Sequence, residues 1–357
     1  HCEQGGIMRP YGGVFSIIED NHIHHINNMM ELGGAEIAGI KMHAAIDVTM
    51  RRNHIHHCTM GIWCDWEAQG TRLSQNLLHD NQRPPFASVL KGGMMSQDIF
   101  VEVGHGPTLI DNNIMLSDAS LRFATEGVAL VHNLICGALT CVGGGTGPRY
   151  TPYHMPHRTE VMGFMTVLHG DDRFYNNIFV QKWPSDDIIT MHDSDDGFDT
   201  ENRAAGTWMF DEYPTYDEWI SQFDFSKPAD MAKLYGAHEG KLPVWIEGNA
   251  YLGGAKPSKK DVNALISAVA REDVRVELVQ KEDGYYLDTN VYELIEGFKN
   301  RMIDSDVLGK AFEPEERFEN PDGTAIRFDS DYFGTHRGVD VIPGPFASKE
   351  EAAKKLY

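Results

Sequence analysis

Two acids sit inside apolar, strand-like runs, Asp65 in "IWCDWEAQ" and Glu102 in "DIFVEVG". A charge in such a setting costs free energy unless something compensates or uses it. The interval from Asp65 forward to Asn76 is the same as that from Glu102 forward to Asn113. If those asparagines mark equivalent points of a repeat, the carboxylates occupy one position on neighbouring strands, about 4.8 Å apart. Retaining glycosidases hold their two carboxyls about 5 to 5.5 Å apart, and inverting ones roughly 6.5 to 9.5 Å. The spacing therefore points to glycoside hydrolysis by double displacement.

Strand alternation turns Val101 and Val103 inward and Glu102 outward, and likewise Cys64 inward and Asp65 outward. Arg122 stands at that same interval before Asn133, which predicts a column Asp65, Glu102, Arg122. Adjacent carboxylates push one pKa up, as an acid catalyst requires, while Arg122 beside Glu102 pulls it down. The sequence leaves that balance open. Trp63 and Trp66 offer sugar-stacking surfaces, with Gln69 and Arg72 as polar neighbours. Glu36 and His43 fall on the preceding coil, where they could bind hydroxyls. His105 before Asn113 and His169 before Asn177 share a second, shorter interval, and either line the site or hold a turn.

The elements that position these residues are suggested by Asn followed by aliphatic residues at 21, 53, 76, 113, 133, 177 and 249. The shortest spacings, 113 to 133 and 53 to 76, suit one coil of a solenoid, and the longer ones suit coils with inserted loops. Asn suits a tight bend, where it tolerates left-handed geometry and can stack in a ladder. The expected fold is all-β, a right-handed parallel β-helix with loop insertions and a mixed C-terminal tail. Residues 1–255 would form the β-helix, interrupted by an acidic, aromatic insertion at about 181–244. Residues 256–357 would pack on it or cap it, with a helix in "SKKDVNALISAVA" and a hairpin turning near Asp283 and Gly284. The chain opens "HCEQGGIMRPYGGVF", without Met and in mid-pattern, which suggests a preceding N-terminal portion.

The chain has 357 residues, with 31 Lys plus Arg against 53 Asp plus Glu, for a formal charge of −22. That balance disfavours nucleic acid, anionic membranes and polyanionic substrates, and favours a neutral one. Five cysteines without paired spacing suggest free thiols and a cytoplasmic setting. The "HIHH" clusters at 22–25 and 54–57 read as a polar ladder rather than a metal site, since no carboxylate or Cys completes a set at matching spacing. No cofactor is expected. Calcium is the one candidate ion, at "HDSDDGFD" (192–199), which lacks the full twelve-residue loop pattern.

The segments "HAAID" (43–47), "IWCDWEAQGTR" (62–72) and "DIFVEVGHGP" (98–107) resemble the active-site region of the β-xylosidases of glycoside hydrolase family 120. The resemblance extends over residues 1 to about 180. It implies that Asp65 is the nucleophile and Glu102 the general acid/base, acting on short, neutral β-xylo-oligosaccharides from the chain end. Family members combine a right-handed parallel β-helix with a β-sandwich toward the N-terminus, and no such sandwich is recognisable in this sequence. The chain departs from the family pattern in the insertion between the two motifs, on the leaving-group side of the pocket. A homo-oligomer, or association with the missing portion, is expected. The competing functions are a β-helix polysaccharide lyase, which would need a basic catalyst and usually calcium, and a non-catalytic β-helix, which would have more regular coils.

Overall fold

The computed structural model describes residues 2–9, 13–32, 36–84, 96–143, 150–182, 189–191, 200–224, 226–227 and 241–357. Three large sheets dominate, with eight, seven and eight strands. In the first, the strands Ile7–Arg9, Ala38–Ile46, Met60–Gln69, Ile99–Glu102, Ala119–Ala124 and Ala138–Gly143 follow one another in parallel. The second runs from Ile17–Glu19 to Val244–Glu247, and the third from His22–His24 to Leu265–Ile266, both wholly parallel.

Inward residues from all three sheets share one core. Ile62, Cys64, Val101 and Phe123 of the first meet Leu73, Ile110 and Phe174 of the second and Ile55, Met115 and Phe179 of the third. Each such fully buried aliphatic or aromatic side chain contributes roughly 1.5–3 kcal/mol.

The expected right-handed parallel β-helix with loop insertions and a mixed C-terminal tail is corrected to an all-β assembly of stacked, mostly parallel sheets. Thr200–Ala204 joins the first sheet antiparallel to Ala138–Gly143, and Ile189–Met191 pairs antiparallel with it in turn. Two further antiparallel pairs stand apart, Tyr150–His154 with Val161–Thr166 and Val276–Lys281 with Gly284–Thr289. No sheet among the described residues closes into a barrel. The segment 258–270 is not a helix: Leu265–Ile266 adds a parallel strand beside Ala250–Leu252. Two of its apolar residues, Val262 and Ile266, are exposed, so the helical spacing marks no buried face. The second hairpin turns at Glu282 and Asp283, as expected.

All seven asparagines form one continuous ladder. The amide of Asn21 donates to Asn53 Oδ1, and the same bond repeats from 53 to 76, 76 to 113, 113 to 133, 133 to 177 and 177 to 249, at 2.9–3.1 Å. The backbone N–H of each of the first six donates to that same acceptor oxygen. The left-handed residue is not the Asn but the one before it: Asp20, Arg52, Gln75, Asn112, His132, Asn176 and Gly248 all have φ between 53° and 74°. The Asn satisfies the bend's buried polar groups, and its predecessor makes the bend.

The C-terminal region lies along outer faces of two sheets. Ile303, Phe318 and Phe328 cover Leu109, Val131 and Tyr175 of the second sheet. Val276, Leu287, Tyr292 and Phe346 cover Ile114, Leu134 and Ile178 of the third. The outer face of the first sheet carries the acids.

Candidate active site

Parallel pairing sets Lys41 beside Trp63, Trp63 beside Phe100 and Phe100 beside Arg122. One outward step further along, His43 pairs with Asp65. Cys64 pairs with Val101, so Asp65 and Glu102 come next on the two strands, and they share a side-chain hydrogen bond. The spacing argument thus places the two acids together.

It misplaces Arg122. Glu102 pairs with Ala124, and Arg122 lies over Phe100 with its guanidinium carbon 4.8 Å from the ring centroid. The reason is the length of the corner. Five residues, 103–107, link Glu102 to the strand at Thr108, whereas three, 125–127, link Ala124 to the strand at Val128. Counting back from Asn133 across the shorter corner overshoots by two residues, which keeps Arg122 on the outer face but moves it one row along.

Burial and the Asp65 charge push the Glu102 carboxyl up to about 7, against the lowering influence of the Trp63 hydrogen bond and the Arg122 charge. Trp63 Nε1 donates to Glu102 Oε2 at 3.0 Å. Trp63 is therefore a buried donor rather than a stacking surface. Lys41 is a site residue that sequence reasoning missed. Its side chain is 1% exposed, its Nζ stands 2.7 Å from Asp65 Oδ2 and 2.9 Å from Glu36 Oε1, and it lies over the Trp63 ring. A lysine inside the strand run "AGIKMHAAI" was the available signal. His43 Nε2 stands 3.1 Å from Asp65 Oδ2, within N–H donation distance, and 3.8 Å from Glu36. A negative charge on Asp65 therefore has its counterion and a donor in place.

Glu36 and His43 thus join the acid pair, and Trp66 stays at its edge, half exposed, with its indole N–H reaching Thr151 at 3.4 Å. Gln69 does not face the site: its amide bonds His154 and Glu316 and ties strand, hairpin and C-terminal region together. Arg72 is spent on a bidentate pair with Asp111 in the second sheet. His105 is buried, with Nδ1 2.6 Å from Glu126 and Nε2 3.2 Å from the Thr151 carbonyl. Both of its partners are acceptors, which suits the imidazolium, and Glu126 raises its pKa against burial. His169 is buried and pushed down to about 4, so it is neutral near Glu126. His105 thus ties its corner to Glu126 and to the hairpin, whereas both ring nitrogens of His169 lack a hydrogen-bond partner.

Three groups among the described residues have the make-up to hold a metal: Glu36, His43 and Asp65; His22, His54 and His56; and Asp47, His157 and Glu316. In the first, Lys41 already supplies the positive charge. In the second, the imidazoles bond each other, His22 to His56 at 2.8 Å and His54 to His79 at 2.7 Å. In the third, burial raises the pKa of Asp47 and pushes Glu316 up to about 7. The 192–199 calcium candidate lies outside the described residues. Cys58, Cys64, Cys136 and Cys141 are buried thiols, which burial pushes up to about 12. No described helix is long and apolar enough to cross a membrane.

Fold and site together define an all-β protein with two neighbouring carboxyls, Glu102 buried and Asp65 partly so, on an outer sheet face. No protein-family model matches the chain, and no curated protein does. Among solved structures, the chain is similar to one described as the complex of XylC with xylose, at 34% identity and a TM-score of 0.82. The match covers 100% of this chain and 50% of that one, so the chain spans about half the length of that relative.

Proposed function

We propose that this chain carries the catalytic pair of a retaining glycosidase that releases xylose from short β-xylo-oligosaccharides. The observation that carries the reading is the asymmetry of the pair: Glu102 is held near pKa 7 by burial and by Asp65, while Lys41 Nζ stands 2.7 Å from Asp65. Glu102 keeps a proton to give, and Asp65 has a cation set against its carboxylate. The likeness to a xylose complex supports the sugar. The net charge of −22 favours a neutral substrate over a uronate polymer.

In the first step Asp65 attacks the anomeric carbon as Glu102 protonates the departing glycosidic oxygen, leaving a glycosyl ester on Asp65. Lys41 and His43 both engage Oδ2, which makes Oδ1 the attacking oxygen. Glu102, now a carboxylate, takes a proton from water. That water opens the ester at the anomeric carbon and returns Asp65, with net retention.

The test uses an aryl β-xyloside. Asp65→Asn and Glu102→Gln should each lower turnover on the order of 10³-fold with the melting temperature unchanged. Azide should rescue Asp65→Asn as the α-xylosyl azide. Variants that keep wild-type turnover would sink the assignment.

A further inference from the structure

A second buried acidic cluster lies where three distant segments meet. Asp47 follows the Ala38–Ile46 strand, His157 lies between the two strands of the Tyr150–Thr166 hairpin, and Glu316 comes from the C-terminal region. One ligand atom from each lies within 4.8 Å of the others. The Asp47 and Glu316 side chains are each 1% exposed. Asp47 Oδ2 and Glu316 Oε1 nevertheless have no hydrogen-bond donor, a costly state for a buried carboxylate.

The neighbouring groups meet this demand only in part, since the His157 backbone and Gln69 both bond Glu316 yet Oε1 stays without a donor. Gln69 donates to Glu316 Oε2, the other oxygen. His157 Nδ1 is 2.8 Å from Asp47 Oδ1 and 3.9 Å from Glu316 Oε1, while its Nε2 faces Glu319 at 3.4 Å. A proton on Nδ1 satisfies Asp47 Oδ1 and leaves both orphaned oxygens as they are. A cation among the three satisfies them together. Gly70 borders the cluster at φ +65°, and a Cβ there would run into Asp47 Oδ1 and come within 2.7 Å of Glu316 Oε1. Its missing side chain keeps the space between the carboxylates open.

We propose that Asp47, His157 and Glu316 form a binding site for a divalent transition-metal ion, zinc or manganese, with Glu319 holding the distal N–H of His157. An imidazole with two carboxylates suits these ions better than calcium, which takes oxygen ligands. A carboxylate behind the ligating histidine is the usual support for such a site. The ion would fasten the hairpin and the C-terminal region to the end of the acid-bearing strand, where Gln69 already bonds both.

The full chain, stripped by chelator dialysis and titrated with zinc or manganese chloride, should bind one ion per chain at this site and melt at a higher temperature. Glu316→Gln and His157→Gln should abolish that binding and the thermal gain, and Glu319→Gln should weaken affinity about 10- to 100-fold. Should Glu316→Gln fold poorly, Glu319→Gln carries the test. His54→Gln, in the imidazole stack, should leave binding intact. A wild-type chain that binds neither ion, or binding lost in His54→Gln and kept in Glu316→Gln, overturns the proposal. None of these readouts uses turnover, so they are independent of the glycosidase reading.

Discussion

The asparagine corner and the outer face that carries Asp65 are built on the same succession of strands, and they use it in opposite ways. At the corner one residue type recurs seven times, and each copy bonds the next in the same manner. On the outer face the residue changes at every step, from Lys41 to Trp63, Phe100 and Arg122 in one row. The neighbouring row places His43, Asp65 and Glu102 in succession. The imidazole stack on the third sheet belongs with the corner: His24, His56 and His79 occupy one register and stack ring on ring. Repetition satisfies backbone and side chains alike, whereas variation across one register assembles unlike charges. The lesson is that a site in such a protein is found where the repeat position is kept and the residue type is not.

Substitutions can break that contrast from either side. The largest effect should come from Lys41→Met, which removes the counterion of Asp65 while filling similar space over Trp63. It should lower kcat/KM on the order of 10³-fold, measured with an aryl β-xyloside, and leave the fold intact by circular dichroism. Asn113→Ala should do the reverse. It breaks the ladder at mid-height, where Asn113 accepts from Asn76 and donates to Leu73 and Asn133. The cost should be about 2 kcal/mol of stability in denaturant unfolding, with kcat of the folded protein unchanged.

The smallest effect sharpens the comparison within the site. Because Glu102 must hold its proton to act and is pushed up to about 7, activity should fall as pH rises through about 7. Trp63→Phe removes a donor that favours ionised Glu102. The alkaline limb should then move upward by roughly half a unit to one unit, read from a pH–rate profile. The same raised pKa has a stability sign. Protonated Glu102 favours the folded state below its ordinary value of 4.5, and that contribution is lost as pH rises through about 7.

Much of this is legible in the sequence where the repeat holds. The asparagine positions mark the ladder, and equal counts from Asn76 and Asn113 put Asp65 beside Glu102, because the paths from acid to Asn have equal length. The count fails for Arg122, where the corner is two residues shorter, and length at a corner leaves no mark in the residue pattern. Gln69 misleads because its partners, His154 and Glu316, lie 85 and 247 positions away in the chain. Lys41 stands out among its apolar neighbours in sequence, but its role beside Asp65 depends on the register of the next strand. The helical spacing at 258–270 misleads because a short parallel strand with turns on either side can mimic it.

The central claim is that Asp65 and Glu102 act as nucleophile and acid/base in a double displacement. Following the first-formed sugar by proton NMR during hydrolysis of an aryl β-xyloside tests it most directly. The account predicts β-xylose first, with the α-anomer appearing only by later mutarotation, and α-xylose as the first product would contradict it.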